Sequence, residues 1–104
     1  MKQRFTPRAA RDLAGIADYI HERSPQAAPR VRAAILEALQ HLVLFPHIGR
    51  PQRVTGVRKL MTRRYPYLVY YTVDDTTQEI VILAIQHPRA SGFIQTPEES
   101  AAAA

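Results

Sequence analysis

The stretch from Gly56 to His87 constrains this chain more than any other. It holds three apolar, β-branched or aromatic runs, broken only at Arg63–Pro66 and Asp74–Gln78. Runs of this composition and length, bounded by turn-forming residues, predict three consecutive antiparallel strands. The middle run (Tyr67, Leu68, Val69, Tyr70, Tyr71, Val73) and the last (Ile80 to Ile85) are apolar at both alternating positions, the pattern of strands covered on two sides. The first run, Val57 to Met61, carries Arg58 and Lys59 among its apolar residues, so one of its faces is expected to meet water or a charged partner. Tyr71 is expected in the core, with Tyr67 or Tyr70 lining the other face. Asp74-Asp75-Thr76-Thr77 has no partner group nearby for acid–base work and is expected to be a hairpin turn.

The residues before this sheet predict a short strand and two helices. Lys2 to Phe5 is a candidate strand, and Thr6-Pro7 supplies an N-cap with proline at the first helical position. Ala10, Leu13, Ile16, Ala17 and Ile20 then recur at spacings of three and four, an amphipathic stripe that must be buried. Ser24-Pro25 is expected to end this helix and cap the next, which should run from about Gln26 to Leu44 with Val31, Ile35, Ala38, Leu39 and Leu42 buried. A junction this short makes the helices antiparallel neighbours that pack together on the sheet. Phe45-Pro46 stops the second helix, and His47 to Thr55 is expected to be a loop. The whole is an α+β domain over residues 1–93: an antiparallel twisted sheet in the order β-α-α-β-β-β, with a helical hairpin on one face. Phe93 is expected to anchor a closing turn, and residues 94–104 to form a flexible tail.

Charge is distributed unevenly along the chain. Lys and Arg number 14 against 9 Asp and Glu, and six of the basic residues (Arg50, Arg53, Arg58, Lys59, Arg63, Arg64) fall in a segment with no acid; 14 less these six leaves 8 against 9. The excess is local to the loop before the sheet and to its first hairpin, as for a surface that meets phosphates or an acidic protein. A solvated basic edge strand that resists aggregation is the other explanation. Tyr65, Tyr67, Tyr70 and Tyr71 lie close to Arg63 and Arg64, a mixture that stacks bases, forms protein-binding hot spots or simply packs a core.

No cysteine is present, which excludes a disulfide frame and a thiolate nucleophile or metal site. His21, His41 and His47 are scattered, without carboxylates at metal-ligand spacing, so neither a metal nor a cofactor is expected. No apolar run approaches the roughly 20 residues of a membrane span, and the first residues lack the apolar core of a signal peptide. A cytoplasmic location with no membrane contact is expected.

Several fragments, in order and at consistent spacing, resemble the RelE/ParE superfamily of bacterial toxin–antitoxin modules, also called plasmid stabilisation proteins. They are Pro7-Arg8-Ala9-Ala10-Arg11-Asp12-Leu13, Tyr19-Ile20, Ser24-Pro25 with Ala27-Ala28, and Leu42, Pro46 and Gly49-Arg50-Pro51. Val57-Arg58-Lys59-Leu60, Tyr65 to Asp74, and Val81 to His87 with Arg89 continue the likeness, which spans nearly everything from Phe5 to Arg89. RelE-like members that cut messenger RNA carry an arginine on the middle strand, in a pattern like Tyr-Arg-x-x-Tyr, where this chain has Leu68. Leucine cannot stabilise phosphate charge, and Pro66-Tyr67-Leu68-Val69 is more similar to the ParE branch.

The resemblance implies the toxin of a type II module: a ParE-like inhibitor that traps DNA gyrase without breaking a bond itself and is neutralised by a cognate antitoxin. Its contact residues would be Arg50, Arg53, Arg58, Lys59, Arg63, Arg64, Tyr67 and Arg89, and its assembly a homodimer or a toxin–antitoxin hetero-oligomer. The alternative is a RelE-like endoribonuclease acting on messenger RNA at the ribosome. In that reading His87, a residue type that titrates near neutrality, works with Arg64 and Arg89 as the catalytic set. A third reading keeps the fold and antitoxin binding without toxicity.

Overall fold

Thr6 ties the first helix to the sheet before the helix begins. A computed structural model describes residues 1–89 of the chain, so the turn expected at Phe93 and the tail expected over residues 94–104 lie outside the described residues. Strand β1 (Lys2–Phe5) leads into Thr6, whose side-chain oxygen accepts from the Ala9 N–H at 3.0 Å and caps helix α1 (Pro7–Arg23). The same hydroxyl donates to the Leu83 carbonyl at 2.9 Å, fixing the helix start against the last strand. This tether turns Ala9 into the core and leaves Ala10 exposed, the reverse of the expected stripe, while Leu13, Ile16 and Ile20 pack half-buried against the core.

Ser24 ends α1, its N–H donating to the Ile20 carbonyl. It does not cap the next helix with its side chain. Its carbonyl instead takes the Ala27 and Ala28 N–H groups, forming a turn that delays helix α2 to Ala28–Leu44, with Ala27 as an N-cap that makes no side-chain bond. Pro29 sits in the first turn, where its missing N–H costs nothing. The buried stripe of α2 is Val31, Ile35, Leu39 and Leu42, as the periodicity predicts, joined by Ala28, whereas Ala38, expected with them, is only half-buried. The Gln3 side chain donates to the Leu39 carbonyl and links β1 to this helix.

The sheet contains five strands in the order β1-β5-β4-β3-β2. Strands β3 (Val57–Met61), β4 (Leu68–Asp74) and β5 (Glu79–Gln86) form the expected antiparallel meander. Asp74 Oδ1 closes its second turn by accepting from the Thr76 and Thr77 N–H groups. Two features depart from expectation. Arg50–Pro51, within the expected loop, forms a short strand β2 against Arg58 and Lys59. Strand β1 pairs with β5 in parallel, so the sheet is mixed. The helices explain the direction: α1 carries the chain forward along β5, from Leu83 towards Ile85, and α2 returns it, so β3 sets out parallel to β1. Two antiparallel steps then bring β5 beside β1.

Strand β5 contains a bulge. Tyr70 is paired with Ala84 and Tyr71 with Ile82, leaving Leu83 as the extra residue. Ile80, Ile82 and Ile85 therefore all face the helices, with Tyr67, Val69 and Tyr71 of the adjacent chain. Val81, Leu83 and Ala84 gather on the second face with Val57 and Tyr70, and Val54 and Leu68 pack against them. Beyond Ile82, where β1 has ended, α1 supplies the missing partners: Thr6 for the Leu83 carbonyl and Asp12, whose Oδ2 accepts from the Ile85 N–H at 3.0 Å.

Tyr71 is fully buried, and its hydroxyl donates to the Pro46 carbonyl and accepts from the Gly49 N–H, both at 2.8 Å. Gly49 is required there, because a Cβ would lie 2.6 Å from that hydroxyl oxygen and 3.0 Å from the Lys59 carbonyl oxygen. Tyr71→Phe strands two buried backbone groups and is expected to lower stability by about 2 kcal/mol in urea unfolding. Gly49→Ala, through overpacking, is expected to cost about 1–3 kcal/mol.

Burial also raises the Tyr71 phenol above its ordinary value of 10.0, against smaller opposing effects of the Gly49 hydrogen bond and the Arg58 charge. Tyr67 and Tyr70 are raised by burial as well. Below the ordinary value both folded and unfolded chains keep these protons; above it the unfolded chain ionises first. Stability is thus expected to be flat up to about pH 10 and to fall beyond it. Urea midpoints measured across that range check this, and midpoints that stay level above pH 10 would contradict it.

Candidate target and partner-binding surfaces

The six basic residues that the sequence groups together are divided by the fold. Strand alternation sends Arg58 and Lys59 to opposite faces of β3. Arg58 lies opposite Tyr71, on the helix side, and its guanidinium donates to the carbonyls of Gly49 at 2.7 Å and His47 at 3.1 Å. It locks the loop that Tyr71 also holds. Lys59 lies opposite Tyr70, and Arg50 is its register partner, so both belong to the second face. Arg53 is exposed in the turn between β2 and β3. Arg63 and Arg64 are exposed in the turn between β3 and β4, beside the helices.

That turn is held from within. Buried Thr62 donates its hydroxyl proton to the Tyr65 carbonyl, its hydroxyl oxygen accepts from the Tyr67 N–H, and its own N–H donates to the Tyr67 carbonyl. Tyr67 is 9% exposed and its ring makes a T-shaped contact with the His87 ring, centroids 5.7 Å apart, at 82°. Burial, then the nearby Tyr19 hydroxyl, raises the Tyr67 phenol. Tyr67 is thus mainly a packing residue on the helix face, and Tyr70 is the tyrosine that lines the other. His87 is exposed, but its Nδ1 accepts from the Arg89 N–H at 3.1 Å, which places the neutral ring's proton on Nε2. The rung beside it is Met61, Leu68 and Gln86, so no charged group from β4 or β5 reaches it there.

A groove of about 850 Å³ runs between α2 and the β3 edge. One wall is the helix face Arg30, Ala33, Ala34, Glu37, Ala38 and His41; the other is Leu60 to Tyr65, with Ile48 at the loop. Ile48 and Met61 are large apolar side chains yet 54% and 53% exposed. The sequence points to apolar grooves beside the helix pair but does not identify these lining residues, and it places Ala38 in the buried stripe instead. Sequence reasoning missed Tyr19, 55% exposed with the Arg23 guanidinium 3.7 Å above its ring, a pair signalled by i,i+4 spacing.

Among the described residues, side-chain ion pairs join Arg4 to Glu79 and Arg8 to Asp12, and none includes a residue of the basic segment. No three His, Cys, Asp or Glu side chains among them gather where a metal ion could be held. No described helix is long and apolar enough to cross a membrane.

This architecture is shared with known toxins. Residues 4–91 match the family described as ParE toxin of type II toxin-antitoxin system, parDE. The chain is 37% identical over 84 residues to the putative toxin Y4kP of Sinorhizobium fredii, covering 81% of this chain and 84% of that one. It is 38% identical over 77 residues to toxin RelE2 of Caulobacter vibrioides, covering 74% and 85%. In a structure described as the chromosomal ParDE system of P. aeruginosa, a chain superposes with a TM-score of 0.73 at 33% identity, covering 84% of this chain and 95% of that one. In the Mycobacterium tuberculosis RelBE2 toxin–antitoxin complex the match has a TM-score of 0.62 at 32% identity, over 83% and 95%. With the match extending through both helices and the whole sheet, the chain belongs to the ParE toxin family of type II toxin–antitoxin systems, within the RelE/ParE superfamily.

Proposed function

We propose that this toxin inhibits growth in the ParE manner, by binding DNA gyrase and trapping it on DNA, and that it breaks no bond itself. The surroundings of His87 carry this reading. A 2′-hydroxyl must be deprotonated and the phosphate charge neutralised for RNA to be cut. The His87 Nδ1 lone pair is already used by the Arg89 N–H, and the neighbouring rung offers Leu68. The similarity to toxin RelE2 and to the RelBE2 complex supports a second reading, a messenger RNA endonuclease using His87, Arg64 and Arg89.

Neutralisation by a cognate antitoxin is part of the same proposal. The groove beside α2 suits an acidic amphipathic segment: small residues along the helix admit a close partner, Ile48 and Met61 offer apolar contacts, and Arg30, Arg63 and Arg64 offer positive charge. Such a toxin acts inside the cell, where gyrase and the antitoxin are.

Two assays on purified protein separate the target readings. Trapped, cleaved DNA in a gyrase supercoiling reaction, with messenger RNA intact in a translating extract, is the expected result. RNA cut at codon spacing with gyrase unaffected would select the endonuclease instead, and His87→Ala would then be expected to abolish cutting. For the antitoxin, Arg63→Glu with Arg64→Glu is expected to weaken binding at least tenfold by calorimetry, with folding kept because both side chains are exposed. Undiminished affinity would move the antitoxin off this groove. Arg58 is unsuitable for such a test, since its reversal would release the loop at His47 and Gly49.

A further inference from the structure

Two cations face each other on the outer strands, and among the described residues no ion pair relieves them. Arg50 and Lys59 are register partners across β2 and β3, and Lys59 is in turn paired with Tyr70. The alternation that buries Val57 against Tyr70 puts this row on the second face of the sheet, away from the helices. Like charges directly across an antiparallel pair repel. No acid lies between Arg50 and Arg64, and among the described residues no ion pair reaches either side chain. The contrast with Arg58 is informative: its guanidinium is taken up by two carbonyls, whereas Arg50 and Lys59 hold an unfavourable arrangement that an anion would convert into a favourable one.

We propose that the Arg50–Lys59 pair seats the phosphate backbone of duplex DNA. The proposal deepens the gyrase reading and rests on it: the toxin touches the DNA that the enzyme holds, as well as the enzyme. Among the described residues the row presents no exposed stacking ring, which favours duplex over single strands. Tyr70, the aromatic of the row, is 5% exposed, whereas single-strand sites present aromatic faces to the bases. Contacts made by phosphate alone are independent of sequence and sensitive to salt. Neighbouring strands lie about 4.8 Å apart and a duplex presents a phosphate every ~3.4 Å of axis along each strand, so two long side chains can meet adjacent phosphates. Exposed Arg53, in the turn that follows β2, extends the positive edge.

Binding of the purified chain to a short, labelled, mixed-sequence duplex tests this without gyrase, so a failed DNA contact and a failed gyrase reading are separately visible. Affinity is measured from roughly 50 to 200 mM salt, and Arg50→Gln with Lys59→Gln is expected to reduce the slope of log affinity against log salt by about 2. A matched variant, Arg63→Gln with Arg64→Gln, removes the same charge from the groove side and is expected to change the slope by less than half as much. Both should melt no lower than the parent, since Arg50, Arg63 and Arg64 are exposed and the half-buried Lys59 is relieved of a like charge. Equal losses from the two variants would show attraction by net charge alone and overturn the site. A slope unmoved by the first variant, or tighter binding to single-stranded RNA of the same length, would overturn it too.

Discussion

Strand β5 lies between β1 and β4, but β1 ends at Phe5, opposite Ile82, and leaves the second half of β5 with backbone groups to satisfy on that side. Buried backbone groups need partners, and the first helix supplies them. Thr6 takes the Leu83 carbonyl released by the bulge, and Asp12 takes the Ile85 N–H one turn and a half further along. These two side chains fix both the position and the direction of α1. Once α1 is laid along β5, α2 must return on the far side, over Val69 and Tyr71, and its outer face is left to form the wall of a groove. A hydrogen-bonding requirement of one strand thereby sets where the groove lies.

The loop between α2 and the sheet depends on a second buried group. The Tyr71 hydroxyl and the Arg58 guanidinium hold Pro46, His47 and Gly49 through their backbone, which leaves the loop's own side chains free to point outward. Phe45 and Ile48 are exposed there although both are large and apolar. Rigid presentation of such side chains reduces the ordering entropy of association, and exposed apolar surface beside a groove marks an interaction site.

Much of this was legible in the sequence, and the gaps have physical causes. The meander, the Thr6 cap, the stripe of α2, the turn at Asp74 and the placing of Tyr70 and Tyr71 on opposite faces follow from local pattern. The parallel pairing of β1 does not, because a strand of four residues carries no mark of direction. Ala9 and Ala10 are chemically alike, so only the tether from Thr6 to Leu83 decides which is buried. The division of the basic segment was illegible for the same reason: Arg58 and Lys59 are adjacent cations, and which becomes structural depends on the side of β3 over which the loop folds. The groove needs two elements distant in sequence, and neither wall predicts the other.

Strand β3 carries three roles in five residues because its side chains alternate. Val57 and Lys59 belong to the second face, Arg58 locks the loop, and Leu60 faces the groove, which Met61 borders at the strand's end. A charge change at Lys59 leaves the groove's lining untouched, whereas one at Arg58 disturbs the loop that positions Ile48 within it. The groove and the second face can therefore vary independently on one strand, provided that Arg58, Gly49 and Tyr71 stay together. In a superfamily whose similar chains include both ParE and RelE toxins, this separation offers a physical route by which one scaffold keeps its loop and its groove while the second face changes what it touches.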